Sequence, residues 1–275
     1  MTLKNNENDH TIAAAIKELA SIMADLRHPE TGCPWDIKQT SKSIAPYTIE
    51  EAYEVVDAIE SGTPEDVCNE LGDLLLQVVF HAQMASENGE FTLYDVIKTI
   101  SNKMIRRHPH VFSQQKGIDN AQDQTRSWED MKAIERGAKT NGAVSALDGI
   151  AKALPAVTRA EKLQKRAARV GFDWPDESGA RLKLSEELEE LSEAAASQDD
   201  AATLDEAGDV LFSCVNYLRK LGVSADDAMR QANQKFEKRF RVMESSLSAQ
   251  AMSMETAGLE EMEAAWQQAK AEEET

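Results

Sequence analysis

The sequence predicts an all-α protein built as two tandem, related helical bundles, and three observations carry that prediction. Of 275 residues only seven are Pro and thirteen Gly, while the strong helix formers Ala, Leu, Glu, Lys and Gln are plentiful. Apolar residues recur at spacings of three and four, and no segment alternates as a half-buried strand would. Finally, the chain repeats itself. Glu51, Glu54, Glu70 and Asp73 are followed, each 136 positions later, by Glu187, Glu190, Glu206 and Asp209. A merely acidic composition does not keep register. The expected division is a first bundle at 1–136, a linker at 137–147 opening on Gly137-Ala138-Lys139-Thr140-Asn141-Gly142, and a second bundle at 148–275.

Each element has its own signal. Ile12, Ile16, Leu19, Met23 and Leu26 predict a first amphipathic helix that ends near Pro29. Thr31-Gly32-Cys33-Pro34-Trp35-Asp36 reads as a loop rich in turn formers. A helix from about Pro46 to Glu60 carries Glu51 and Glu54. Thr63 as N-cap and Pro64 at the first helical position start the next one. That helix sets Val67, Leu71, Leu74, Val78 and His81 on one stripe, with His81 expected in the core. A fourth starts at Thr92 and runs through Val96, Ile97, Ile100 and Met104 until Pro109 stops it. Residues 113–125 read as a polar loop, and about Arg126 a shorter helix opens with Trp128 and Lys132.

The second half replays the first. Leu154 to Val170 is a helix, and Gly171-Phe172-Asp173-Trp174-Pro175 is an aromatic loop where the first half has Cys33-Pro34-Trp35-Asp36. Leu182 to Ala196 and about Thr203 to Leu221 carry the second set of acids. Ser224 to Leu247 is a long helix with Phe236 and Phe240, and a last helix from about Leu259 holds Trp266 and Lys270.

Composition removes several function classes. A formal charge of −19 argues against a surface that coats nucleic acid, because phosphate backbones are held by an excess of Lys and Arg. The run Arg106-Arg107-His108 does not outweigh it. Apolar runs such as Leu74-Leu75-Leu76 are far too short to span a bilayer. Cys33, Cys68 and Cys214 are odd in number and far apart, as expected of reduced thiols in a cytoplasmic protein. Met1 to His10 is polar and lacks the apolar core of a signal peptide.

The acids are the chemistry. Residues three apart on a helix share a face, with Cβ atoms roughly 5–6 Å apart. Glu51 with Glu54 and Glu70 with Asp73 are two such pairs, on helices joined by a turn short enough to pack them antiparallel. Glu187 with Glu190 and Glu206 with Asp209 repeat the arrangement, and Gly72 and Gly208 are expected to let the paired helices approach closely. Four carboxylates at one place repel one another, and two divalent cations would neutralise them. Hard oxygen ligands favour Mg²⁺, or Mn²⁺ in its place, over zinc or iron. A di-iron bundle would want two Glu-x-x-His motifs, and Glu7-x-x-His10 is the only one.

Glu-x-x-Glu followed by Glu-x-x-Asp on the next helix resembles the MazG nucleoside triphosphate pyrophosphohydrolases, of the all-α NTP pyrophosphatase group. Longer strings extend the resemblance to nearly the whole chain and to the two-domain bacterial type. They are Gly32-Cys33-Pro34-Trp35-Asp36, Ala45-Pro46-Tyr47-Thr48, Arg106-Arg107-His108-Pro109-His110-Val111-Phe112 and the run Gln164 to Trp174. The resemblance implies Mg²⁺-dependent hydrolysis of NTPs or dNTPs to the monophosphate and pyrophosphate. It also implies a homodimer, broad base tolerance, and catalysis mostly in the C-terminal domain. There Glu187, Glu190, Glu206 and Asp209 match the metal ligands and catalytic acids. Lys183, Glu186, Lys235 and Arg239 match residues that hold the triphosphate, and Trp266 and Lys270 match ones at the nucleotide. Lys235 and Arg239 are four apart, so both can meet phosphate oxygens from one helix face. An indole stacks on any base.

The first copy departs from the second. Lys183 corresponds to Tyr47, and Asp205 to Asn69. Lys103 and Arg107 recover the Lys235/Arg239 spacing after a four-residue shift, and Trp128/Lys132 echo Trp266/Lys270. The first copy is therefore expected to be a weaker or regulatory site that holds metal at Glu51, Glu54, Glu70 and Asp73. The competing function is a helical regulatory protein that binds nucleotides, signalling ones included, without turning them over. Loss of an acid or of the Lys/Arg pair would favour it, and the second half has lost neither.

Overall fold

Three threonines start helices of the first half in one way. Thr40, Thr63 and Thr92 each accept the backbone N–H three residues on, and the side chains of Ser43, Asp66 and Asp95 return the bond to the threonine N–H. Each such box is worth about 1 kcal/mol. The Thr63 N–H and hydroxyl hold the Asp66 carboxyl below its ordinary range, and the Thr92 hydroxyl and N–H do the same for Asp95.

The computed structural model describes residues 8–113, 120, 124, 131 and 145–273, and no strand occurs among them. Two compact units emerge, Met1–Met131 and Lys132–Thr275. The first holds α1 (Asn8–Leu26), α2 (Pro34–Lys38), α3 (Ser41–Ser61), α4 (Pro64–Glu87), α5 (Leu93–Arg107) and α6 (Pro109–Phe112). The second holds α7 (Ala156–Arg169), α8 (Glu177–Ser197), α9 (Asp200–Lys220), α10 (Ala225–Ala249) and α11 (Leu259–Glu273). No helix among the described residues is long and apolar enough to cross a membrane.

In the first unit α3 and α4 form the central antiparallel pair, with α1 and α5 against α4. Gly62 makes their short turn, since a Cβ there would stand 2.8 Å from the Ala58 carbonyl oxygen. Met23, Ile44, Val79, Phe80 and Met84 make the core. The stripe expected on α4 is not its buried face. Gln77, Val79, Phe80, Ala82, Met84 and Ala85 are buried, while Leu71 and Val78 are exposed. Val79, Phe80 and Met84 pack with Met23 of α1 and Ile44 of α3, while the apolar stripe on the N-terminal half of α4 stays open. His81 is half-buried, with Nε2 3.1 Å from the Thr48 hydroxyl.

Two helix starts also differ from expectation. The capping box at Thr40 begins α3 five residues before Pro46, which then sits inside the helix near its start. Pro34 nucleates the short α2 in what reads as loop. This segment is pinned from α1 and α4: Arg27 donates to the Asp36 carbonyl and, at 2.7–3.1 Å, to Glu87.

In the second unit α8 and α9 repeat the antiparallel pair, and α9 packs on α7 through another face. Asp176 caps α8. Gln198 turns the chain with φ 60°, and Asp199 caps α9 by accepting the N–H groups of Ala201 and Ala202. α10 packs on α11 around Met243, Leu247 and Ala265, with Phe240 and Trp266 against them, and also touches α7. Here too a basic clamp holds the aromatic loop. Arg219 pairs with Asp173, and the Lys220 Nζ donates to the Trp174 carbonyl at 2.6 Å.

Candidate metal centre

Glu187 and Glu190 project from α8 and Glu206 from α9, and one carboxylate oxygen from each lies within 4.8 Å of the others. Glu187 is only 4% exposed. A buried charge needs a partner, and Lys183, one turn earlier on α8, supplies it. Its Nζ stands 2.9 Å from Glu187, 2.9 Å from Glu186 and 3.9 Å from Glu190. Hydrogen bonds to Glu186 and Glu187 hold the Lys183 ammonium above its ordinary range. A hydrogen bond with Glu187 and partial burial push the Glu190 carboxyl up. Asp209, one turn after Glu206, is exposed and stands outside the group of three.

The first unit assembles the matching acids with no lysine paired to them among the described residues. Glu51, Glu70 and Asp73 bring oxygens within 4.8 Å of one another, and Glu54 adjoins Glu51 and Glu70. Where the second unit has Lys183, the first has Tyr47, whose ring packs edge-on to Trp35 at 6.2 Å. Glu51 instead accepts a hydrogen bond from the buried Gln77 amide at 3.3 Å. Desolvation, then the neighbouring Glu54 and Asp73, raise the Glu51 carboxyl, and the same three causes raise Glu70. Gln77 was not among the expected site residues. Its position one turn past Asp73 on the stripe of Glu70 would have found it.

The donor sets fit a hard divalent cation. All candidate donor atoms are carboxylate oxygens. One cluster holds an ammonium among its acids, and in the other burial and the neighbouring acids raise the Glu51 and Glu70 carboxyls. Protons and metal compete there. A raised carboxyl favours the folded state at acid pH, a contribution present below the unfolded value and lost as pH rises through the raised one. Mg²⁺ should therefore raise the melting temperature of the first unit more at pH 7 than at pH 5. A Glu187→Gln chain isolates that response, and a larger shift at pH 5 would contradict it.

The remaining expected residues lie elsewhere. Lys235 is exposed and Arg239 half-buried on α10, while Trp266 and Lys270 are half-buried on α11. Trp266 packs 5.2 Å from Phe236, which stacks on Phe240. Lys235 and Lys270 have no ion-pair partner among the described residues. Lys103 and Arg107 are on α5, where the Arg107 carbonyl accepts from Gln124 at 3.2 Å. Trp128 and Lys132 lie outside the described residues. The expectation for Gly72 and Gly208 is corrected. A Cβ at either would meet nothing within 4 Å, so the helix pairs close without them and each glycine borders open space.

Comparison with known proteins agrees with the duplicated geometry. A family described as the MazG nucleotide pyrophosphohydrolase domain matches residues 39–112 and again 177–242. The chain is 48% identical over 260 residues to the nucleoside triphosphate pyrophosphohydrolase of Escherichia coli K12, covering 94% of this chain and 98% of that protein. It is 44% identical over 259 residues to the nucleoside triphosphate pyrophosphohydrolase/pyrophosphatase MazG of Thermotoga maritima, covering 94% and 97%. Similarity to the Mycobacterium tuberculosis nucleoside triphosphate pyrophosphohydrolase is 36% over 158 residues, covering 57% and 46%.

Proposed function

The chain belongs to the MazG nucleotide pyrophosphohydrolase family, and from that premise we propose that its second unit hydrolyses nucleoside triphosphates between the α- and β-phosphates. The products are the monophosphate and pyrophosphate. The observation that carries this reading is the meeting of Glu187, Glu190 and Glu206 across two helices around one positive charge. These acids, with Asp209 beside them, are assigned to Mg²⁺, for which Mn²⁺ can substitute. When bound, the ion supplies Lewis acidity toward the phosphates and activates the attacking water.

The chain's own residues bind and orient. Once the acids are neutralised, Lys183 is released to meet phosphate oxygens, and Glu186 keeps it near them. Lys235 and Arg239 neutralise the charge that builds on the leaving pyrophosphate. Lys270 and the open edge of Trp266 lie at the nucleotide, where an indole tolerates any base. The open space at Gly208 leaves room for phosphates. Gly in a helix costs about 1 kcal/mol relative to Ala. Gly208→Ala should therefore stabilise the second unit by about that much in a denaturant titration while lowering pyrophosphate release. A stabilised variant at full activity would contradict the assignment.

The first copy of the acids, Glu51, Glu54, Glu70 and Asp73, is assigned a weaker or regulatory site, for which the sequence offers Lys103, Arg107, Trp128 and Lys132 as nucleotide contacts. The exposed stripes Leu71, Leu75, Val78 on α4 and Leu204, Leu211 on α9 support a homodimer, since apolar faces of this kind mark association. The acidic charge disfavours nucleic acid as a partner, and the three free cysteines suit the cytoplasm. The test is a panel of NTPs and dNTPs with Mg²⁺, assayed for pyrophosphate. Release from several bases, abolished by chelator, is expected. Orthophosphate alone, or no turnover, would overturn the reading.

A further inference from the structure

Gln77 on α4 is 7% exposed, a polar side chain buried against the first copy of the acids. Its Nε2 donates to Glu51 Oε1 at 3.3 Å, across the α3–α4 pair. Its own Oε1 is buried and has no hydrogen-bond partner among the described residues. An unmet buried acceptor lowers stability, and a methionine of like size would avoid the loss. Turning the amide over would set its oxygen against the Glu51 carboxylate, so the acid itself decides which end faces it. The one polar contact that Gln77 makes is its hold on Glu51.

The second copy fastens the matching acid by other means. Ser213 stands in the register of Gln77, also buried, with a hydroxyl only one bond past Cβ. Glu187 is held from its own helix instead, by the Lys183 ammonium. A lysine cancels charge as it orients an acid, whereas a neutral amide orients it and leaves the whole charge for a cation. The neighbouring rung is confined to the first copy too. His81 Nε2 lies 3.1 Å from the Thr48 hydroxyl, where the second copy has Tyr217 and Leu184. Thr48 and Glu51 are three apart on α3, and Gln77 and His81 four apart on α4, so both rungs share one contact face.

We propose that Gln77 is a positioning residue, whose amide holds the Glu51 carboxylate in the orientation that takes up a divalent cation. The proposal rests on the assignment of Glu51, Glu54, Glu70 and Asp73 to such a cation. The amide ties Glu51 of α3 to α4, the helix that carries Glu70 and Asp73. Without that tie the Glu51 side chain would lose its rotamer freedom each time an ion bound. With it, the loss is taken when the chain folds, and the ion meets acids already in place. Gln77 acts only through Glu51.

Mn²⁺ titrated into the full chain carrying Glu187→Gln, with the free ion followed by electron paramagnetic resonance, reads the first unit. Adding Gln77→Met should weaken binding roughly ten-fold, a usual loss when a metal-holding carboxylate is deprived of its outer hydrogen bond. In chelator the same variant should melt at or above the temperature of its parent, because the unmet acceptor is gone. A lower melting temperature would assign Gln77 to the fold and overturn the role. Gln77→Asn keeps the amide but withdraws it by one methylene, and it should weaken binding as well. With Glu51→Gln already present, Gln77→Met should cost no further affinity. A further ten-fold loss there would overturn the proposal. Undiminished affinity in both Gln77 variants would also overturn it, and would leave the cation assignment standing. A Glu187→Gln parent that binds no Mn²⁺ would overturn the cation assignment and the positioning role together.

Discussion

Replacing Glu187 by glutamine should lower pyrophosphate release by roughly 10²–10³-fold, the effect of several kcal/mol of lost charge stabilisation. Glutamine keeps the shape of a side chain buried at the α8–α9 contact and removes its charge. The fold should therefore survive, with unchanged far-ultraviolet circular dichroism. Mg²⁺ titrated into this variant should bind more weakly at the second unit, because the remaining oxygens on Glu190, Glu206 and Asp209 carry less charge. A variant that binds Mg²⁺ as wild type yet loses turnover would move Glu187 from metal ligand to another role.

Lys183→Met should split two quantities that usually move together. In the free protein its ammonium lies among Glu186, Glu187 and Glu190 and already neutralises part of their charge. A divalent ion must compete with it. Removing the ammonium should tighten Mg²⁺ binding in the absence of nucleotide, while pyrophosphate release falls roughly 10–100-fold for want of a phosphate contact. Lys183 is partly exposed, so solvent screening tempers the first effect. The direction is the test. Mg²⁺ affinity that drops in Lys183→Met would show the lysine organising the acids rather than competing at them.

The duplicated acids were legible because register is a sequence property. Helix periodicity then put Glu187 and Glu190 on one face, and the short turn before Asp199 let α9 bring Glu206 to them. What periodicity does not carry is which apolar face a neighbour covers. Leu71 and Val78 share a stripe with Leu74, yet α1 and Ile44 cover Val79, Phe80 and Met84 instead. A proline does not always mark a helix start. Pro46 reads as a beginning, but the capping box six residues earlier decides it. The clamp from Arg27 to Glu87 spans 60 residues, and nothing local announces it. The buried amides follow the same rule. Gln77 could be read from its spacing to Glu70 and Asp73, whereas Gln164 gains meaning only from the Phe212 carbonyl on another helix, to which its amide donates at 2.8 Å.

The two copies offer their own control. Both cluster three acids within the same 4.8 Å, but among the described residues only the second places a lysine among them. Pyrophosphate release from Glu51→Gln, measured beside Glu187→Gln at saturating Mg²⁺ and nucleotide, weighs one copy against the other. Most of the wild-type rate should remain in Glu51→Gln and almost none in Glu187→Gln. Turnover lost with Glu51 and kept without Glu187 would put the chemistry in the wrong half of the chain.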